Sequence, residues 1–392
     1  MYKNKIPTDT FCNELQKKGI EMFAGVPDSL LKHLCAHLHD NWNGRHIITA
    51  NEGNAIALAA GFHMATGSLG AVYMQNSGLG NCVNPLTSLT DPDVYSIPLL
   101  LIIGWRGEPG IKDEPQHVKQ GRITRRLLDI LEIPHWILNG SSDWQIILQE
   151  IFSAIKDRSA PVALLIQKDT FEPHTTQQTF QYGSNKKYTL KREDALSALL
   201  DLVNPHDLII STTGKTSREL FELREKRGEY QRDFLTVGSM GHASSIALGV
   251  AMGRRDRRVI CLDGDGALLM HMGALPVIGN IENANNIDSK TPSNLIHIVL
   301  NNAAYESVGG QPTVAGKMNM DLLSRSCGYK NYHLAYDINS LKKCWMDISR
   351  RHQGPNMLEI QIATGSRQDL GRPTTTPMEN KNAFMKNAFA NV

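Results

Sequence analysis

VICLDGDGALLMHMGAL, residues 259–275, is the stretch on which the fold turns. β-Branched and apolar residues run up to Asp263, Gly-Asp-Gly follows, and the apolar spacing then becomes helical. One carboxylate, Asp265, therefore stands between two glycines where a strand hands over to a helix. An N-cap role alone would account for an Asp at that place, with the glycines easing the turn. The sequence downstream points further. The apolar run LIHIVLNN, 295–302, ends in Asn301-Asn302 and is followed by AAYESVGG, a second turn at the same sheet edge. In a doubly wound sheet, ligands bind outside the carboxyl ends of neighbouring strands. A carboxylate, an Asn oxygen and a backbone carbonyl are hard oxygens that suit Mg2+, which fills its remaining octahedral positions with phosphate oxygens and water. Glycines and a helix N-terminus let backbone N–H groups approach the same phosphates.

Working outward, helical spacings alternate with short β-branched runs. A helix near 8–18, a strand at 22–24, a helix after Pro27, a strand at HIIT, a helix from Asn54, and strands at AVYM and LLLIIG fill the first half. DLIIST, a helix from Thr216, FLTV, a helix from Ala243, VICLD and LIHIVLNN fill the second. The βαβα order predicts parallel sheets with helices on both faces. AIALAAG at 55–61 is echoed by SIALGVA at 245–251, an offset of 245 − 55 = 190, and each leads through a strand into a Gly-rich turn, YMQNSGLG and CLDGDGAL. Two homologous α/β domains are expected: 1–176 and 190–365, a polar linker at 177–189, and a loosely packed surface tail at 366–392.

At 392 residues the chain is long enough for two cores. Lys+Arg 41 against Asp+Glu 39 leaves a formal +2, and no basic stretch is interleaved with aromatics, which excludes a nucleic-acid surface. The six cysteines form no CxxC pair, as expected of reduced core residues rather than a disulfide framework. The N-terminus has no apolar signal segment and PLLLIIGW is too short to span a bilayer, so the expectation is a cytoplasmic protein without membrane partners. Two phosphate motifs fail. A P-loop ending in GKT at 214–216 would need glycine at Ile209, and a dinucleotide GxGxxG from Gly264 would need glycine at Leu269.

Glu52 offers a second chemical group. Thr49-Ala50-Asn51-Glu52 fits a capping box, a purely structural role. Yet from Gly53 to Thr90 there are 38 consecutive residues without Asp, Glu, Lys or Arg, read as buried core and subunit interface. A carboxylate at the edge of such a region has a raised pKa and can share a proton with a ring nitrogen.

GDG followed after a strand by NN, together with NEGNAIALAAG and GSMGHASSIALG, resembles the thiamine-diphosphate-dependent enzymes over nearly the whole chain. That resemblance implies two domains of the thiamine-diphosphate-binding type, without the middle domain of larger relatives, and thiamine diphosphate and Mg2+ as cofactors. By it, Asp265, Asn302 and the main-chain oxygen of Ala304 hold Mg2+. Gly214, Gly264, Gly266 and Ala267 line the diphosphate, with Thr213 and Lys215 beside it. Met240 props the two cofactor rings, the Gly238 carbonyl faces the cofactor amine, and Glu52 holds the proton of the aminopyrimidine. The separation of Asp265 from Asn302, 302 − 265 = 37 positions, is longer than usual for the family, with the excess assigned to a surface insertion in IENANNIDSKTPSN. The family's active sites lie between subunits, which implies a homo-oligomer with a dimer as its smallest unit.

GWRGEPGIKDEPQHVKQGR, 104–122, gathers Arg106, Lys112, His117, Lys119 and Arg122 into what reads as one cationic loop, suited to a lid over a small anionic 2-oxo acid. With GVPDSLLKHL at 25–34, it is similar to the phosphonopyruvate decarboxylases within the family and, less closely, to the sulfopyruvate decarboxylases. The implied reaction is non-oxidative decarboxylation of 3-phosphonopyruvate to phosphonoacetaldehyde and CO2, a step of phosphonate biosynthesis. A sulfopyruvate substrate, a carboligase or transferase, and a catalytically silent binding homologue are the alternatives. Asp28 and His117 are the candidates for proton transfer, and Ser29, Arg106 and Lys112 for the substrate.

Overall fold

A computed structural model of the chain describes residues 5–176, 188–280, 293–351 and 353–390. It divides into two compact units, Met1–Phe180 with Ser307–Gln311, and Gln181–Glu306 with Pro312–Val392. The expected linker falls outside the described residues except for Tyr188 and Thr189, and the expected insertion lies outside them but for Ser293 and Asn294.

Among the described residues the first unit carries six parallel strands: β1 (Ile20–Gly25), β2 (Arg45–Ile48), β3 (Leu69–Gln75), β4 (Leu99–Gly104), β5 (His135–Leu138) and β6 (Val162–Ile166), in the order β2-β1-β3-β4-β6-β5. Its helices are α1 (Thr8–Lys17), α2 (Lys32–Asn41), α3 (Glu52–Thr66), α4 (Leu79–Ser88), α5 (Pro115–Ile130) and α6 (Trp144–Arg158). The apolar runs are continuous because both sheet faces are covered. Tyr73, Leu100, Ile102 and Leu164 pack with Phe11, Leu34 and Ile151 of α1, α2 and α6. The alternate residues Val72, Met74, Leu101 and Ile103 pack with Ile56, Leu86 and Leu128 of α3, α4 and α5.

The second unit repeats the plan with β7 (Leu208–Ser211), β8 (Phe234–Leu235), β9 (Val259–Gly264), β10 (Leu295–Asn301), β11 (Asn331–Ala335) and β12 (Asn356–Gln361), ordered β11-β12-β10-β9-β7-β8. Counted from each unit's first strand, both sheets run 2-1-3-4-6-5. The echo heard between residues 55 and 245 is thus a repeat of topology, with α3 and α9 (Ala243–Gly253) in corresponding places. The pairs of this six-stranded sheet are parallel, and Gly264 stands opposite Leu300, so β9 and β10 release Asp265 and Asn302 at the same level of the sheet edge.

Two expectations are corrected. The cationic segment 104–122 is not one loop: Pro115 occupies the first turn of α5, where its missing N–H is no loss, and His117, Lys119 and Arg122 are helical. The tail is not loose either. Thr376 caps α14 (Pro377–Phe389) in a capping box with Glu379, and Asn380 both accepts from Leu235 N at 3.0 Å and donates to Asp233 O at 2.9 Å. All six cysteines are free. No helix among the described residues is long and apolar enough to cross a membrane.

Candidate active site

In the first unit the chemistry collects where β1, β2, β3 and β4 end. Asp28, three residues beyond β1, is fully buried. Its Oδ1 accepts from Gln75 Nε2 at 2.7 Å and its Oδ2 from Leu30 N at 2.9 Å. Burial pushes its pKa up against those bonds. Gly104 makes the room, since a Cβ there would lie 2.2 Å from Asp28 Oδ2. Glu52 is the first residue of α3. Asn51 caps that helix by accepting from Gly53 N at 2.9 Å, which removes the capping-box account of Glu52. The Glu52 carboxylate turns instead to Asn81 Nδ2 at 2.7 Å and lies against Gly78, where a Cβ would come within 2.5 Å of Oε1. Burial raises its pKa although Asn81 opposes the shift.

Arg106 follows β4 and is already engaged. Its Nε and Nη2 grip Asp113 at 2.8 and 2.5 Å, and Nη1 donates to Ser29 Oγ at 3.0 Å. The turn is fixed by buried Asn76, whose Nδ2 donates to Arg106 O and Thr124 Oγ1, both at 2.9 Å. His117, on the first turn of α5, is buried with Nδ1 unpartnered, and burial, reinforced by Arg106, draws its pKa down to about 4. Asp28, Ser29 and Arg106 are thus linked, whereas Lys112, Lys119 and Arg122 are exposed.

In the second unit Asp265 opens α10 (Asp265–Met270) and is 3% exposed. Its Oδ2 accepts from Thr313 Oγ1 at 2.5 Å, and the Asn302 backbone N–H also reaches the carboxylate. Burial outweighs these bonds and lifts its pKa to about 7. Ala303, at φ 56°, bends the chain after Asn302 so that Asn302 Oδ1 accepts from Ala304 N at 3.0 Å. Asn302 and Ala304 therefore share one turn, and the Asn302 N–H ties that turn to Asp265 at the start of α10. Gly266 has no room for a side chain, because a Cβ would lie 2.9 Å from the Tyr305 ring and 3.5 Å from Met240 Cε, so Met240 reaches the Gly-Asp-Gly turn. Gly238 (φ 71°), Ser239 (φ 46°) and Gly241 (φ 86°) give the Met240 segment its left-handed bends, and Gly238 N donates to Thr213 Oγ1 at 3.1 Å. Gly214 (φ 92°) leads into α8 (Lys215–Lys226); a Cβ on it, or on Gly264, would meet open space.

Sequence reading missed the partners that hold these groups: Gln75, Asn81, Asp113, Thr313 and Glu306, whose Oε2 accepts from Asn302 Nδ2 at 2.9 Å. Asn76 and Asn81 had left a trace, as polar residues inside the charge-free stretch. Also missed was the buried group under Gly264, where Asp263 Oδ1 accepts from Gly264 N at 2.9 Å while His297 lies between Asp263 (3.3 Å) and the Tyr329 hydroxyl (2.9 Å).

Residues 8–129 match the family described as "Thiamine pyrophosphate enzyme, N-terminal TPP binding domain", and residues 212–343 the corresponding "C-terminal TPP binding domain". Phosphonopyruvate decarboxylase of Streptomyces viridochromogenes is 34% identical over 381 residues, 93% of this chain and 91% of the relative. The Streptomyces hygroscopicus enzyme of the same name is 32% identical, over 93% and 90%. The chain belongs to the phosphonopyruvate decarboxylase family of thiamine-pyrophosphate enzymes. A sulfopyruvate decarboxylase of Methanosarcina acetivorans is similar at 28% identity, covering 83% of each chain.

Membership in this decarboxylase family, carbon–carbon lyases that use thiamine diphosphate, accounts for the two repeated domains. The residues fit the cofactor. Asp265 is a buried carboxylate whose partners are a hydroxyl and backbone N–H groups, a set that leaves its charge uncompensated and suits a cation. The open backbone at Gly214 and Gly264 suits the approach of phosphate oxygens.

Proposed function

We propose that the protein decarboxylates 3-phosphonopyruvate, releasing CO2 and phosphonoacetaldehyde. The observation that carries this reading is the 34% identity to a phosphonopyruvate decarboxylase across 93% of the chain, against 28% across 83% for the sulfopyruvate enzyme. Thiamine diphosphate, when bound, supplies the electron sink for the pair left behind by CO2.

The chain's own residues then divide the work. Asp265, Asn302 and the Ala304 oxygen hold Mg2+, and the backbone at Gly214, Gly264, Gly266 and Ala267 receives the diphosphate. Met240 and Gly238 shape the cofactor, and Glu52, its pKa raised by burial, holds the proton that the aminopyrimidine needs. Asp28 and His117 take the proton-transfer roles in this reading, and burial biases them oppositely, favouring the protonated acid at Asp28 and the neutral imidazole at His117. Arg106 has used three of its five N–H groups on Asp113 and Ser29, which fixes the fork while leaving donors for an anionic group. Ser29 and Lys112 complete the substrate set.

The working unit is a homo-oligomer, at smallest a dimer, with sites between subunits; the charge-free and partly exposed α3 to α4 region supports this. The test is to supply the purified protein with Mg2+ and thiamine diphosphate and offer phosphonopyruvate, sulfopyruvate and pyruvate. Phosphonopyruvate is expected to give the highest kcat/KM. A higher value for sulfopyruvate would overturn the substrate assignment and leave the decarboxylase family in place.

A further inference from the structure

Glu306 lies just past the turn that carries Asn302 and Ala304, and its carboxylate gathers three donors. Oε2 accepts from Asn302 Nδ2 at 2.9 Å and from Arg192 Nη1 at 3.3 Å, and Oε1 accepts from Lys215 Nζ at 2.6 Å. Arg192 is itself locked. It is buried, and its Nε and Nη2 hold Glu219 of α8 at 2.8 and 2.9 Å. Arg192 and Lys215 therefore approach Glu306 from fixed elements, and Glu306 in turn fixes Asn302.

We propose that Glu306 is a positioning residue that orients the Asn302 amide toward the metal and pins Lys215 beside the diphosphate. This rests on the reading of Asp265 and Asn302 as Mg2+ ligands. An ionised carboxylate only accepts hydrogen bonds, so it can face only the nitrogen end of the Asn302 amide. The oxygen end is thereby turned the other way, where it accepts from Ala304 N at 3.0 Å and keeps a second lone pair for a cation. A flipped amide would set two acceptors together at Glu306 and two donors together at Ala304. Without Glu306 that discrimination falls to the Ala304 N–H alone. The same carboxylate holds Lys215, the residue after Gly214, with one of three ammonium N–H bonds used and two left for phosphate oxygens.

The rival account, an ion-pair staple that merely stabilises the domain, separates by measurement. Affinity for thiamine diphosphate is read calorimetrically at fixed Mg2+, in Glu306→Ala, Glu306→Gln, Asn302→Ala and the Glu306→Ala/Asn302→Ala double variant. Glu306→Leu replaces the alanine variant if that one does not fold. Glu306→Ala is expected to weaken binding at least about tenfold, and Glu306→Gln, whose amide oxygen can still accept from Asn302, to recover most of the loss. In the Asn302→Ala background the loss from Glu306→Ala should shrink by roughly fivefold or more. Wild-type affinity in Glu306→Ala, the same loss in both backgrounds, or a Gln variant as weak as Ala overturns the positioning role. Asp265→Ala is measured alongside: if it and Asn302→Ala bind with wild-type affinity, the metal reading fails and this inference with it.

Discussion

Burying a carboxylate that has few partners is costly, and the chain does so at Glu52, Asp28 and Asp265. Stability alone would favour neutral side chains at these places, and replacement by the amide is nearly isosteric. Glu52→Gln should therefore fold with unchanged or higher melting temperature and keep thiamine-diphosphate affinity within a few-fold, while kcat falls by about 10²–10⁴. Exchange of the cofactor's thiazolium C2 proton, followed by NMR, checks the cause, and wild-type exchange in the variant would remove Glu52 from the chemistry. A second prediction concerns His46. Burial, with a small contribution from His39, brings its pKa down to about 4 from an ordinary 6.5, and its Nε2 pairs with the Tyr73 hydroxyl at 3.0 Å. Since the folded form takes the proton less readily than the unfolded chain, this contribution is fully present above pH 6.5 and is lost as pH falls toward 4. The slope is roughly 1.4 kcal/mol per pH unit. Melting temperature measured from pH 7.5 to 4.5 should fall, and fall less steeply in His46→Gln; parallel curves would refute the assignment. At this scale Asp265 and Asn302 were legible because glycines and strand ends mark them. Thr313, 48 positions from Asp265, carried no local sign of the contact.

Elements were legible where one period dominates. Every strand named from the sequence is present, and α1, α3, α8 and α9 begin within about two residues of their expected starts, the usual uncertainty of helix ends. α5 was obscured because glycines and charges read as loop. Gly121, the residue that most suggests one, is required by packing: a Cβ there would meet Gly107 O at 1.6 Å, and its carbonyl accepts Trp105 Nε1 at 2.9 Å. α14 was obscured for another reason. Its sequence, PMENKNAFMKNAF, is polar, and what fastens it is Asn380 acting on the backbone around β8, a long-range contact that no periodicity reports. Asn380→Ala leaves Leu235 N and Asp233 O to find other partners at a buried place, so it should lower stability by about 1–3 kcal/mol. Chemical denaturation would show the change, and a variant within about 0.5 kcal/mol of wild type would mean that α14 is dispensable to the second unit.

For the molecule as a whole, duplication explains a pattern that neither domain needs by itself. The two sheets share one strand order, and the corresponding helices α3 and α9 are both free of charged residues after Glu52. α3 is apolar nearly all round, yet in a single chain Leu58 is 36% and Met64 65% exposed, and on α9 Met252 is 43% exposed. A helix that is apolar on every side suits an interior, and exposed apolar side chains of this kind are what the proposed subunit interface would cover. In the proposed homo-oligomer a second subunit covers α3, which also carries Glu52 at its first residue, so assembly and catalysis are coupled through one helix. Replacing Leu58 or Met64 by Glu places a charge in that interface but alters no residue assigned to cofactor or substrate. The expected result is a monomer in light scattering, folded by circular dichroism, with decarboxylase activity reduced at least about a hundredfold at low protein concentration. Partial recovery should follow as concentration rises and mass action restores the assembly. Monomers that retain full activity would show that each chain completes its site alone, and the subunit-shared site would have to be abandoned.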